Sequence, residues 1–125
     1  MSNLLRLSEP VSLALHAAAL LARRPDERIA NARLAATLRV SEHHLAKVMQ
    51  RLARAGIVRS TRGPQGGFQL VRPPDCVALI ELFEAVDGLV GELVHNVHEH
   101  VRRYLSETTL ARLADHFTLV DLEKP

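Results

Sequence analysis

His43, His44, Lys47, Arg51 and Arg54 follow one another at steps of one, three, four and three residues. Ammonium and guanidinium groups only donate hydrogen bonds, and an imidazole can donate one. Such a set suits the phosphates and the acceptor-bearing base edges of a nucleic acid. A second concentration is Arg62-Gly63-Pro64-Gln65-Gly66-Gly67, which holds three of the chain's six glycines and one of its six prolines. A glycine-rich loop with a basic residue can cradle a phosphate, turn a hairpin or link two domains. A third set is His95, His98 and His100. His95 and His98 stand three apart and share a helix face, a spacing at which neutral imidazoles can chelate Zn²⁺ or Ni²⁺. Both flank the apolar positions Val94 and Val97, and no Cys or clear third ligand is near. A solvated or interface role is therefore preferred, and no metal site is assigned. No nucleophile–base pair stands out, which argues against an enzyme.

These residues belong to a chain of 125 residues, one domain's worth of sequence with room for its own core. Hydrophobic residues make up 47%, which argues against disorder, and aromatic residues only 3% with no Trp. The core must then be mainly Leu, Val and Ala, and Ala and Leu favour helix. No apolar run approaches the roughly 18 residues that span a bilayer. The most apolar stretch, residues 13–22, is interrupted by His16, read as a hydrogen-bonded core residue, and carries no signal-peptide frame. The single cysteine, Cys76, excludes an internal disulfide framework and suits a reducing compartment, so a cytoplasmic protein is expected. Cys76 itself reads as a buried small hydrophobe rather than a thiol switch, since no cationic neighbour is evident.

Charge is divided unevenly along the chain. Residues 1–72 hold twelve Lys/Arg against four Asp/Glu, and residues 73–125 hold four against ten. The basic part suits a polyanion, although a salt-bridged interface between the two parts would produce the same asymmetry.

Periodicity places the motifs on elements. Over residues 8–24, Leu13, Ala14, Ala17, Leu20 and Leu21 mark a helix with a buried stripe, begun near Pro10 and ended at Pro25-Asp26. Asn31 is expected to cap a short helix reaching about Leu38. Arg39-Val40-Ser41 makes a tight turn, and Ser41 caps a second helix with Leu45, Val48, Met49 and Leu52 inward. Glu42 sits in its first turn and Gly56 is its left-handed stop. The pair reads as a helix-turn-helix, with an ordinary antiparallel helix pair as the bland alternative. Residues 57–61 and 68–71 are short β-type runs around the glycine-rich stretch. That stretch lacks the spacing of a phosphate-binding loop and no helix follows it, so a hairpin is the economical reading. Helix-turn-helix followed by hairpin is a winged helix.

The run LAATLRVSEHHLAKVMQRLARAGIVRSTRGPQGGFQLVRPP resembles the bacterial Rrf-two family of winged-helix transcription regulators. The likeness continues through Ile80, Glu81, Ala85, Val86, Asp87 and Gly88 and covers about residues 8–115. It implies a mainly α fold with a small β-hairpin: a winged-helix DNA-binding domain over residues 1–88, then a long dimerisation helix and C-terminal segment over residues 89–125. By the same resemblance Ser41, His43, His44 and Lys47 face the major groove of double-stranded DNA. Arg62 enters the minor groove, and Ser60 and Gln65 contact the backbone. Arg51 is a further candidate, with a solvated helix face explaining it about as well as a phosphate.

Residues 79–86 read as a helix with Leu79, Leu82, Phe83 and Val86 inward. Val94, Val97, Val101 and Leu105 recur at helical spacing, and Leu110, Leu113 and Phe117 follow. The resemblance makes the valine stripe a homodimer interface that sets two recognition helices on a palindromic operator; an intrachain core stripe is the alternative. Many family members bind an iron–sulfur cluster through three cysteines after the helix that ends near Gly88. This chain has Leu89-Val90-Gly91-Glu92-Leu93 there, and Cys76 matches no ligand position. No cofactor is therefore expected. The leading expectation is a repressor without a cluster. The alternative is a winged-helix regulator or interaction module controlled by a protein partner or small effector through the dimer half.

Overall fold

A computed structural model describes residues 8–87 and 99–116. Helix α1 spans Glu9–Ala22, α2 Asn31–Leu38 and α3 Glu42–Arg54, followed by strands β1 (Val58–Thr61) and β2 (Gly67–Leu70). A short 3-10 turn, Pro74–Cys76, leads into α4 (Leu79–Asp87), and α5 (Glu99–Glu107) and α6 (Leu110–His116) complete the described residues.

Helix α1 begins where Ser8 Oγ accepts from Val11 N–H at 3.3 Å, with Pro10 in its first turn. Its burial exceeds the single stripe expected from periodicity. Ala14, Ala17, Ala18, Ala19 and Leu21 are all 0% exposed, because α2, α3, β2, α4 and α6 surround it. Small side chains let those neighbours approach closely. His16 is half-buried and its Nδ1 lies 2.8 Å from the Ser12 carbonyl oxygen, one turn back.

Helix α2 starts differently from the expectation. Its N-cap is Ala30, which has no side-chain oxygen to offer, and Asn31 is already helical. Asn31 Nδ2 donates instead to the Glu42 carbonyl at 2.9 Å, pinning the start of α2 to the first turn of α3. A cap is read from sequence by residue type, whereas here the neighbouring helix offers the amide a better partner.

Ile29 supplies an element that sequence did not reveal. Its N–H and C=O exchange 2.9 Å hydrogen bonds with Phe68, adding an antiparallel bridge to the β1–β2 hairpin. Within the hairpin Val58 pairs with Leu70, Arg59 with Gln69, Ser60 with Phe68 and Thr61 with Gly67. Val58, Phe68 and Leu70 are buried on the inner face. Gly67 is what permits the Ile29 bridge, since a Cβ there would lie 2.5 Å from the Ile29 carbonyl oxygen.

The acidic half docks through α4, whose Leu79, Leu82, Phe83 and Val86 are buried as expected. Leu79 N–H donates to the Thr108 carbonyl at 2.9 Å and Leu110 N–H to the Val77 carbonyl at 2.7 Å, fastening the α5–α6 junction to the start of α4. Arg72 and Glu81 form a two-point pair at 2.6 and 3.4 Å, and Glu81 also accepts from Ala78 N–H at 2.9 Å. Hydrogen bonding to the Arg72 guanidinium, ahead of the Ala78 amide, lowers the Glu81 carboxyl below its ordinary value.

Cys76 is exposed rather than buried. Val77, fully buried, takes the interior slot after the 3-10 turn and leaves the thiol outside. A cation is also near, for Arg72 Nη1 donates to the Cys76 carbonyl at 3.0 Å.

Two outcomes test this frame. Gly67→Ala is expected to lose about 2–3 kcal/mol in denaturant unfolding, because the new methyl must push apart the Ile29–Phe68 bridge; unchanged stability would contradict the close approach. Glu81→Gln is expected to lose about 1 kcal/mol at neutral pH. A lowered carboxylate stabilises above its unfolded pKa and loses that stabilisation as pH falls through its folded value. The gap between Glu81→Gln and the unsubstituted chain should therefore narrow below about pH 4. A gap that stays constant through that range would count against the pair.

Candidate nucleic-acid interface

Helix α3 divides its residues between two environments. Leu45, Met49 and Leu52 are 0% exposed and Val48 5%, whereas His43, His44 and Lys47 are exposed. Their side chains have no hydrogen bond or ion pair among the described residues. The fold therefore spends the apolar edge of α3 on its core and leaves its donors facing outward. The start of the helix is set by Ser41, whose Oγ accepts from His44 N–H at 3.1 Å, with Glu42 in the first turn. Ser41 is exposed, so its hydroxyl lies at the entrance to the polar face.

The two turns that bracket α3 have the same hydrogen-bonding pattern. After α2, Val40 N–H donates to the Ala35 carbonyl at 3.0 Å and Arg39 N–H to Ala36 at 3.3 Å. After α3, Ile57 N–H donates to the Leu52 carbonyl and Gly56 N–H to Ala53, both at 3.0 Å. Both are Schellman closures around a left-handed residue, Arg39 at φ 58° and Gly56 at φ 79°. Gly56 matches the stop read from sequence. The second closure carries the chain straight into β1, and Val71 N–H returns to the Ile57 carbonyl at 3.0 Å, fixing the base of the wing to the end of α3.

At the wing tip Arg62 and Gln65 are exposed, as is Ser60 on β1. The turn closes where Gly66 N–H donates to the Gly63 carbonyl at 2.9 Å. A side chain at Gly66 would collide with the Thr61 carbonyl oxygen, so this position requires glycine for space. RGPQGG is thus a hairpin turn among the described residues, with its arginine held outward.

Arg51 has a task inside the fold. Its Nη1 donates to the Val86 carbonyl at 2.5 Å, near the C-terminal end of α4, where unsatisfied carbonyls favour a cation. The residue remains exposed overall. It also lines a cleft of about 250 Å³ with Glu9, Pro10, Leu13, His44, Lys47 and Val48, between the start of α1 and the polar face of α3. Arg28 and Arg59, which sequence did not single out, share a polar groove with Asp26, Glu27, Thr61, Gln65 and Gln69 beside the wing. The Ile29–Phe68 bridge sets the Arg28 segment beside the hairpin, where Arg59 pairs with Gln69.

In the acidic half, Leu105 is 7% exposed and belongs to the protomer's own core, where the dimer reading had placed it at an interface. Its neighbour Tyr104 is 57% exposed. Val101 lies on α5, while Val94, Val97, His95, His98 and Phe117 fall outside the described residues. Among the described residues no group of three His, Cys, Asp or Glu side chains is arranged to hold a metal ion, and no helix is long and apolar enough to cross a membrane.

Comparisons with known proteins agree with this architecture. The Rrf2 family model, described as an iron-dependent transcriptional regulator, matches residues 7–96. The chain is 34% identical over 101 residues to BadM of Rhodopseudomonas palustris, covering 78% of this chain and 65% of that protein. It is 32% identical over 117 residues to the HTH-type transcriptional regulator NsrR of Bacillus subtilis, covering 84% and 80% of the two chains. The structure of CymR (YrzC), the global cysteine regulator of B. subtilis, matches with a TM-score of 0.80 at 26% identity, over 91% of this chain and 99% of CymR. Against BadM and two further curated relatives the chain spans between 54% and 65% of their length. Winged-helix geometry, the exposed donors of α3 and the family match coincide: the chain belongs to the Rrf2 family of helix-turn-helix transcription regulators, which are not enzymes.

Proposed function

We propose that the chain is a cytoplasmic repressor that binds a palindromic operator as a homodimer and does so without an iron–sulfur cluster. The observation that carries the DNA reading is the division of α3, whose His43, His44 and Lys47 are exposed and unused by the fold. In this reading Ser41, His43, His44 and Lys47 enter the major groove, where Lys47 donates to guanine O6/N7 or to a phosphate. Arg62 reaches into a minor groove, whose negative potential rewards a guanidinium, and Ser60 and Gln65 contact the backbone. Arg51 acts mainly by tying α3 to α4 through the Val86 carbonyl.

The homodimer is assigned to residues 89–125, with Val94, Val97 and Val101 supplying the apolar contact and the exposed Tyr104 beside it. Leu105, on the same helix as Val101, is 7% exposed and packs into the chain's own core. Residues 1–88 form the DNA-binding part, and an effector, whether protein or small molecule, would signal through the dimer half.

The family model's description implies iron, and the donor set of this chain does not fit a Cys-ligated cluster. There is one cysteine, Cys76, and it stands exposed at the end of the 3-10 turn rather than after α4. Anaerobically purified protein is expected to lack broad visible absorption and stoichiometric iron and sulfide. Their presence would overturn the cluster-free reading.

DNA contact is tested by gel shift at fixed salt on an operator recovered by genome-wide binding-site mapping. Lys47→Ala and Arg62→Ala should each weaken binding by about 1–3 kcal/mol, and together abolish it. Unchanged affinity in the double variant would leave a winged helix that serves as an interaction module instead.

A further inference from the structure

Arg39 occupies a backbone position that favours a different residue type. It is the one non-glycine residue with positive φ among those described, at φ 58° and ψ 47°. An L side chain in that region crowds the following carbonyl, which is why Schellman closures usually place glycine there. The chain itself shows the relaxed solution one helix later, where the matching position after α3 is Gly56. The hydrogen-bonding frames of the two turns are the same, so nothing in the backbone pattern calls for arginine after α2.

Intramolecular contacts do not account for the residue either. The Arg39 side chain is exposed and has no ion pair or hydrogen bond among the described residues. Some other arginines have partners inside the chain, Arg33 with Glu27 at 3.4 Å, Arg72 with Glu81 and Arg51 with the Val86 carbonyl, whereas the wing's Arg59 and Arg62 are exposed as Arg39 is. Arg39 stands in the turn of the helix-turn-helix, two residues before the Ser41 cap, and its side chain is exposed. A guanidinium at a strained position, exposed and with no partner among the described residues, is free to meet a group outside the chain.

We propose that Arg39 is a phosphate clamp, a DNA-contacting residue that grips the backbone next to the groove entered by α3 and fixes how that helix is seated. This rests on the DNA-binding reading above and adds to it a residue in the turn. A guanidinium suits the task because it stays charged and can meet two phosphate oxygens at once. The contact is to phosphate, so it raises affinity for any duplex and carries no base preference of its own.

The structural alternative is that Arg39 serves α2, as a cation near the carbonyl end of the helix. Arg39→Gly separates the two, because it relieves the left-handed strain while removing the charge. The probe is a fluorescein-labelled mixed-sequence duplex of about 30 base pairs, long enough for two half-sites a helical turn apart. Affinity is read by anisotropy over a salt series, alongside thermal unfolding of the free protein. For Arg39→Gly we expect an unfolding temperature equal to or above that of the unsubstituted chain. Its affinity should fall about tenfold at low salt. The plot of log affinity against log salt should become shallower by about 0.9. Arg39→Lys should restore most of the salt slope. An unchanged affinity and slope in Arg39→Gly would overturn the clamp, and so would a lowered unfolding temperature that accounts for the lost binding. If the unsubstituted chain fails to bind the duplex at any salt concentration, the DNA-binding reading itself falls and the clamp with it.

Discussion

The near-total enclosure of α1 is the constraint on which the remaining structure depends. Five of its residues have no exposed surface, four of them alanines, and elements from both the basic and acidic parts of the sequence close around them. An alanine face sets helix axes near the short end of their packing range, where an added methylene meets a neighbour on every side. Helices α3 and α4 both rest on this core and are tied to each other by Arg51. The orientation of the recognition helix is thus a consequence of burial rather than of anything on its outer face. That separation lets His43, His44 and Lys47 be chosen for contact with a partner, since the fold does not draw on them.

Rigidity reaches the wing by backbone hydrogen bonds. Ile29 clasps Phe68, Ile57 joins the end of α3 to the base of the hairpin, and Gly66 and Gly67 allow main chain to approach main chain. Each bond stabilises modestly, but each also removes a direction in which the hairpin could swing. Arg62 is carried on a short turn at the end of this framework. The proposed minor-groove role of Arg62 requires that the wing stand in register with α3, and the closure at Gly56 joins the end of that helix to the base of the wing.

Much of this was legible in the sequence. Binary pattern alone separated the buried from the exposed edge of α3, because Leu45, Val48, Met49 and Leu52 repeat at the helical period and polar residues fill the gaps. Ser41 and Gly56 were readable because capping is local chemistry. What was hidden depends on residues distant in the chain. Ile29 has no strand neighbours of its own and becomes a bridge only once Phe68 is beside it. Asn31 looked like a cap until Glu42 offered it a carbonyl, and Cys76 looked buried until Val77 took that place. Arg28 and Arg59 are far apart in sequence and share a groove once the Ile29–Phe68 bridge sets the Arg28 segment beside the hairpin. Leu105 fits an apolar stripe in either setting, and periodicity does not distinguish a protomer's core from a partner's.

Hydroxyl-radical and guanine-methylation footprinting of the purified chain on a mapped genomic site addresses the central claim most directly, namely that α3 and the wing together read duplex DNA. Two symmetric half-sites about one helical turn apart are expected, with guanine N7 protected in the major groove of each and the backbone protected alongside at a narrow minor groove. Protection spread without a twofold pattern and lost at modest salt, with guanine N7 left reactive, would contradict it.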